Sequence, residues 1–313
     1  MKTTPYHSGE VAVQEKAGTR PIAAHLAQIL QTEFPLQARA FMAAEPLLVI
    51  SSADEHGRLW ASVLAGKPGF LQIPDAHTLR IAARPVPGDV LTANLAINPA
   101  VGTTVVDFER RRRIRLNGRA HLTGDGIVVA LEEVFFNCPR YIQAREWQLR
   151  PAPEAAPQAG PVTPLLPPDL RAWISAADTF FLATAHARDG LDVSHRGGLP
   201  GFVRVLDAHT LQWPDYNGNG MFQSLGNLTL DARAGLVFPD FATGHVLQLT
   251  GQGRIEWDEA HAQQYPGAER VLTFRVEEAR TLYHALPFRW EFEGYSPFNP
   301  PVNTPEEGPA LPA

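Results

Sequence analysis

Residues 68–79, Pro-Gly-Phe-Leu-Gln-Ile-Pro-Asp-Ala-His-Thr-Leu, and residues 200–211, Pro-Gly-Phe-Val-Arg-Val-Leu-Asp-Ala-His-Thr-Leu, are one pattern written twice, at an offset of 132. Laid on each other without a gap, residues 41–80 and 173–212 agree at 13 of 40 positions. At an offset of 133 the register resumes at Asn94/Asn227, Leu95/Leu228, Gly102/Gly235, Asp107/Asp240, Phe108/Phe241, Leu116/Leu249 and Gly118/Gly251. Solenoid and propeller repeats run about 20–50 residues. This longer period predicts two globular copies of one domain, each with its own core.

Working outward, the chain divides into a first domain at 1–150 with an N-terminal helical extension, a linker at 151–168, a second domain at 169–295 and a proline-rich tail at 296–313. The linker holds seven prolines, which prevent a helix and keep the segment out of a sheet centre. Short apolar or alternating runs bounded by turn residues predict strands. In the first copy these are Leu47–Ile50, Leu59–Leu64, Leu79–Ile81, Gly102–Phe108 and Ile114–Leu122. In the second they are Phe180–Thr184, Asp192–Arg196, Phe202–Val205, Ala234–Phe238 and Val246–Ile255. Two helices are expected, Pro21–Gln31 with proline in its first turn and Gly126–Phe136 with apolar residues at helical spacing. The fold class is therefore mainly β (α+β), a small antiparallel barrel in each half with a few peripheral helices.

Composition narrows the function. A net charge of -6 without a lysine-rich tract argues against nucleic-acid binding, which calls for a basic domain or stripe. No apolar run reaches the roughly 20 residues of a membrane span, and Met1–Arg20 lacks the apolar core of a signal peptide. A cytoplasmic protein acting on small molecules is expected. The lone Cys138 offers neither an internal disulfide nor a paired metal ligand, and its histidines are scattered, so no metal is expected.

The copies diverge where chemistry is carried. After the matched strand the second reads Ser194-His195-Arg196-Gly197-Gly198 and then Pro214-Asp215-Tyr216-Asn217-Gly218-Asn219-Gly220-Met221-Phe222-Gln223-Ser224-Leu225-Gly226-Asn227; the first has Ser62-Val63-Leu64-Ala65-Gly66 and a proline-rich loop. Glycines admit backbone amides close to a ligand, amide nests bind anions, and Arg196 supplies a fork suited to phosphate. An ordinary glycine-containing hairpin with a surface arginine fits these residues equally well. The dinucleotide pattern fails because Gln223 stands where its last glycine belongs, and no Walker A sequence exists. Ser194 and His195 are neighbours on a strand and point to opposite faces, which disfavours a nucleophile and base pair. In the arginine run 110–113 and Arg115, alternation sends Arg113 and Arg115 to one face and Arg112 to the other. A solvated strand end explains the run, and a phosphate contact across the seam between copies is its functional reading.

The second copy, with SHRGG (Ser194 to Gly198), PGFVRVLD (Pro200 to Asp207) and PDYNGNGMFQSLGN (Pro214 to Asn227), resembles the flavin-nucleotide-binding proteins related to pyridoxamine 5'-phosphate oxidase. The first copy is similar to the same family through HSGE (His7 to Glu10), VAVQ (Val11 to Gln14), WASVLAGKPGF (Trp60 to Phe70), TLRIAARPVPGD (Thr78 to Asp89) and NCPRYIQ (Asn137 to Gln143). The resemblance implies two tandem FMN-binding split β-barrels packed as an intramolecular pseudo-dimer, with further pairing of whole chains left open. It implies FMN at the seam, held by His195, Arg196, Gly197, Tyr216, Asn217, Asn219, Gly220, Met221, Ser224 and Asn227, with Arg112 as a phosphate ligand from the first copy. The loop lacks the cationic residues that follow the aromatic one in the oxidase. The implied function is an FMN-dependent oxidoreductase acting on a nicotinamide or a small substrate. The alternative is a non-enzymatic flavin or haem carrier or sensor, with His195 as the axial ligand of a haem.

Overall fold

The computed structural model describes residues 5–150, 155–187 and 190–303. The first half forms β1 (Leu47–Ala53), β2 (Leu59–Ala65), β3 (Leu71–Gln72), β4 (Thr78–Ile81), β5 (Ala100–Asp107), β6 (Arg112–Leu122) and β7 (Ile127–Asn137). These make one antiparallel sheet in the order β2-β1-β5-β6-β7-β4-β3. After β8 (Ala144–Leu149) and β9 (Gln158–Thr163) come β10 (Thr179–His186), β11 (Gly190–Gly197), β12 (Arg204–Val205), β13 (Thr210–Tyr216), β14 (Arg233–Pro239), β15 (Val246–Glu256) and β16 (Ala268–Tyr283). Their order, β11-β10-β14-β15-β16-β13-β12, repeats that of the first sheet strand for strand. The sheets curl into half-barrels, the mainly β split-barrel architecture expected from the sequence. A last strand, β17 (Phe288–Gly294), pairs with β8, tying the two halves together.

Helices fill the margins: α1 (Ser8–Lys16), α2 (Arg20–Leu26), α3 (Leu36–Ala44), α4 (Leu91–Ile97), α5 (Pro168–Ala176), α6 (Gln223–Leu230) and α7 (Glu259–Ala262). Of the expected Pro21–Gln31 helix, α2 and a 3-10 turn at Ala27–Ile29 form. No described helix is long and apolar enough to cross a membrane.

The expected helix at 126–136 is instead the strand β7. Its β-branched start, Ile127-Val128-Val129, suits a pleated surface, and Ile127 and Val129 alternate inward as β7 pairs with β4 and β6. An apolar run read without its partners fits either period. The proline-rich segment also does more than link, since 158–163 pairs along the distal part of β16. It joins there at an edge, and Pro161 falls where the ladder is irregular, without a register partner. The start of the tail is anchored as well: Ser296 is buried, its amide donates to Gln143 Oε1 at 2.8 Å and its hydroxyl accepts from Tyr141 N at 3.2 Å. Residues 304–313 lie outside the described residues.

Each sheet wraps its own core, the first around Leu48, Ile50, Leu79 and Leu116 and the second around Phe180, Trp213, Leu236 and Phe274. A third core lies between them, where Leu47, Val49, Val63 and Val106 meet Phe181, Val193, Val237 and Val246. Backbones touch at two matched points. A Cβ on Gly102 would lie 2.4 Å from Asp192 Cα, and one on Gly235 would lie 3.0 Å from Trp60 Cα. Glycine is required where two backbones approach so closely, and the 133 and 132 offsets relate one contact to the other. This packing sets the edge strand β11 against β5 and β6 of the other half.

Candidate functional site

A pocket opens where β11 meets β6. From β11 come Ser194, His195, Arg196 and Gly197; from β13 and its loop come Asp215, Tyr216, Gly218, Asn219 and Gly220; the first turn of α6 adds Gln223 and Ser224. The other half contributes Arg113 and Arg115 of β6 and the 137–141 segment with Asn137, Cys138, Arg140 and Tyr141. Both copies therefore build one site. Its enclosed volume is about 120 Å³, the space of roughly four waters. A phosphate-sized group fits inside, and a larger ligand extends out through the mouth.

Alternation along β6 sends Arg113 and Arg115 to this side. Arg112 is exposed on the opposite face, its guanidinium over the rings of Phe41 and Phe136 at 5.4 and 5.5 Å. Arg112, expected as a phosphate ligand, thus lies off the pocket by one step of strand pleat, and Arg113 and Arg115 line it. Met221 also lies away from the pocket, buried against Tyr6, Ala23 and Phe135. Asn227 lines a neighbouring cavity, bonded to His7 and Thr184. Asn217 sits on the rim, where its carboxamide oxygen accepts from Arg140 at 2.6 Å. His195, Arg196, Gly197, Tyr216, Asn219, Gly220 and Ser224 all line the pocket.

Electrostatics favour an anion. Arg196 Nη1 pairs with Asp215 Oδ1 at 2.8 Å, Arg270 Nη1 lies 3.3 Å from Asp215 Oδ2, and Arg115 pairs with Asp192. Arg113 has no carboxylate partner among the described residues, and its Nη1 donates to His195 Nδ1 at 2.9 Å. Burial pushes Arg113 down to about 10, opposed by Cys138 and helped by the nearby charges of Arg115 and Arg196. Burial, then Arg113, Arg145 and Arg196, hold His195 well below its usual value. The imidazole is neutral, with Nδ1 accepting and the proton on Nε2. Arg115 Nε, Arg196 Nε and His195 Nε2 are buried with no hydrogen-bond partner among the described residues, an arrangement that costs free energy until an acceptor arrives.

The α6 N-terminus adds to this field. Its N-cap is Phe222 at φ +60, with no side-chain cap on the first-turn amides, and Phe222, Gln223, Ser224 and Leu225 all face the pocket. Uncapped amides and the helix dipole favour negative charge there. At the mouth the Tyr141 and Tyr216 rings are 5.1 Å apart, and the Tyr141 hydroxyl donates to Asn217 O at 2.8 Å. Burial raises the pKa of both phenols, keeping them neutral hydrogen-bond groups. Among the described residues no cluster of His, Cys, Asp and Glu is arranged to hold a metal.

Comparison with known proteins places these residues in context. The family model for pyridoxamine 5'-phosphate oxidase matches residues 166–292. No curated protein matches the chain. Among solved structures, a putative pyridoxamine 5'-phosphate oxidase from Lactobacillus delbrueckii is 20% identical over 37% of this chain and 94% of its own, with a TM-score of 0.31. A Clostridium acetobutylicum protein related to general stress protein 26 is 14% identical over 39% of this chain and 89% of its own, with a TM-score of 0.29. A FAD-binding protein from Mesorhizobium loti is 15% identical over 39% of this chain and 97% of its own, with a TM-score of 0.26.

Proposed function

We propose, from the match of residues 166–292 to the pyridoxamine 5'-phosphate oxidase family model, that the pocket between the halves holds the phosphate of FMN and that the protein is a flavin-dependent oxidoreductase. The observation that carries this reading is the convergence of Arg113, Arg115 and Arg196 on one small cavity at the α6 N-terminus, with Arg113 lacking a carboxylate. Arg113 and Arg196 clamp the phosphate from opposite halves, and the α6 amides complete its coordination. Tyr216, Asn219, Gly220 and the Tyr141 side of the mouth position what projects from it. Bound flavin supplies electron exchange with a reduced nicotinamide or small substrate, and the neutral His195 keeps the Arg113 fork in place.

One flavin per chain is expected. At the matched place in the other seam, Val246 and Gln248 stand for Arg113 and Arg115, and Val63 and Leu64 stand for His195 and Arg196. Gln248 Nε2 donates to Ala61 O, Ser62 Oγ and Asp89 Oδ2 at 2.8, 3.1 and 3.3 Å. The cavity there is lined by Ala65, Val86, Pro157, Ala285, Leu286 and Pro287, with Thr243, His284 and Arg150, whose Nε is bonded to Phe288 O. Among the described residues that lining holds one arginine where the other holds a cluster of them.

The test is the visible absorption of the purified protein, with any chromophore released by denaturation and identified. FMN at one per chain, bleached by a reduced nicotinamide, supports the oxidoreductase. A haem band shifts the role of His195 to axial ligand and overturns the flavin reading. A colourless protein that refuses added FMN removes both.

A further inference from the structure

The α6 N-terminus meets the pocket through a turn that its own sequence does not explain. Phe222, the N-cap, has φ +60, and Gly220 two residues before it has φ +74. A non-glycine residue keeps the left-handed region only where its surroundings hold it there. Much of that hold comes from the other half. Gln14 of α1 donates from Nε2 to Met221 O at 2.9 Å, and its Oε1 accepts from Arg20 Nη1 at 3.0 Å. Thr19 is the N-cap of α2 but makes no side-chain cap there; its hydroxyl donates instead to Gly220 O at 3.1 Å. The Met221 side chain is fully buried against Tyr6, Ala23 and Phe135. From its own half the turn has the Arg270 guanidinium, 4.7 Å from the centre of the Phe222 ring.

Behind the turn, α1 lies directly on α6. A Cβ on Gly9 would fall 2.2 Å from Gly226 O, and His7 Nε2 is 2.9 Å from Asn227 Oδ1. The HSGE and VAVQ stretches thus meet the second half through His7, Gly9 and Gln14, while neither Gln14 nor Thr19 lines the pocket. The matched helix of the first copy is built differently. There Asp89 stands in the place of Phe222, 133 residues earlier, and its Oδ1 accepts from Leu91 N at 2.8 Å. A carboxylate already sits on the first turn of α4, whereas the first turn of α6 is left open to the pocket.

We propose that Gln14 and Thr19 are positioning residues for the ligand's phosphate, which takes the place of a side-chain cap on α6. They act through the backbone of Gly220 and Met221. Both carbonyls are bonded to the first half, and that fixes the turn in the conformation that presents the α6 amides to the pocket. Met221, expected at the ligand, anchors this turn from behind instead. The inference rests on the flavin reading above, which assigns those amides to the phosphate of FMN.

The test compares FMN with riboflavin, which lacks the phosphate, by fluorescence titration of the full chain. Thr19→Val keeps the shape of the side chain and removes the donor. It is expected to weaken FMN about 2- to 10-fold, the range of one neutral hydrogen bond, and to leave riboflavin affinity unchanged. Thr19→Ser restores the donor and is expected to bind FMN as the wild type does. Gln14→Leu, which loses the bond to Met221 O, is expected to lower the ratio of the two affinities at least as far. General damage to the fold would weaken both flavins alike and leave that ratio at its wild-type value. Thr19→Val decides alone where Gln14→Leu does not fold. A wild-type ratio in the variants overturns the inference and leaves the flavin reading standing. Wild-type protein that binds FMN no tighter than riboflavin overturns the phosphate cradle and the inference with it, and protein that binds neither overturns the flavin reading as well.

Discussion

Arg113→Met separates ligand binding from folding because the two effects carry opposite signs. In the ligand-free protein Arg113 is a half-buried cation beside two others, held at about 10 instead of 12.5. At about 1.36 kcal/mol per pKa unit its charge costs roughly 3 kcal/mol relative to water. Its removal strands no carboxylate, since its hydrogen-bond partner is the His195 ring. Methionine keeps the length and loses the charge. The apo protein is therefore expected to gain about 1–3 kcal/mol, a few degrees in melting temperature for a chain of this size. Affinity for FMN is expected to fall by about 1.5–3 kcal/mol for a lost charge-assisted hydrogen bond, or about 10- to 150-fold in Kd. Differential scanning fluorimetry without ligand and flavin-fluorescence titration read the two quantities separately. A variant with a lower melting temperature and unchanged Kd would refute the anion-clamp reasoning, showing Arg113 to be structural.

Further outcomes follow from the same geometry. Arg112→Ala is expected to leave FMN affinity within about 0.5 kcal/mol, the usual effect of a surface change, and a loss comparable to that of Arg113→Met would place the site on the wrong face of β6. Because His195 is depressed in the folded state, the unfolded chain takes up a proton below about 6.5 that the folded chain refuses, so its contribution is present above that pH and is lost as pH falls. Denaturant titrations of wild type against His195→Gln are expected to diverge below that pH by up to about 1.4 kcal/mol per pH unit, with parallel curves counting against a neutral buried imidazole; the difference is the useful quantity because Glu45, raised to about 8, acts in the opposite direction. Gly102→Ala, which drives a methyl into the Asp192 backbone, is expected to destabilise the chain by about 1–3 kcal/mol or more as overpacking does, and unchanged thermal stability would show that the halves do not press together there.

The repeat was readable because duplicated turn chemistry and matched core positions survive as identities, and the two sheet orders agree strand for strand. The helix expected at 126–136 failed for lack of context: Ile127 and Val129 are apolar at a spacing that serves either period, and only pairing with β4 and β6 decides it. Among the residues that line the pocket, those on β11 and Tyr216, Gly218, Asn219 and Gly220 were legible from divergence between copies. Arg113 and Arg115 were half legible, since pleat alternation grouped them correctly but did not say which face meets the pocket. Arg140 and Tyr141 belong to the NCPRYIQ segment that carried part of the family resemblance, and that signal was the one available for finding them. The place of Asp192 at the seam is invisible to a linear reading, because its partners Arg115, Ser224 and Gly102 come from three distant elements.

The two seams differ in charge, and the arginine cluster stands at one of them. Identical chains in a symmetric dimer carry every substitution into both sites at once. Within one chain the halves are free to differ, and the pocket takes Arg113, Arg115 and Tyr141 from the first and His195, Arg196 and the α6 turn from the second. The opposite seam loses from both sides together, with Gln248 and Leu64 where arginines stand in the other. Neither half contains a complete site. A chain truncated after Arg150 is expected to expose Leu47, Val49, Val63 and Val106 from the shared core, to self-associate or aggregate as large exposed apolar patches do, and to bind no FMN. Size-exclusion chromatography with flavin titration checks it, and a well-behaved monomeric half that binds FMN with the affinity of the full chain would show that the site belongs to one copy alone.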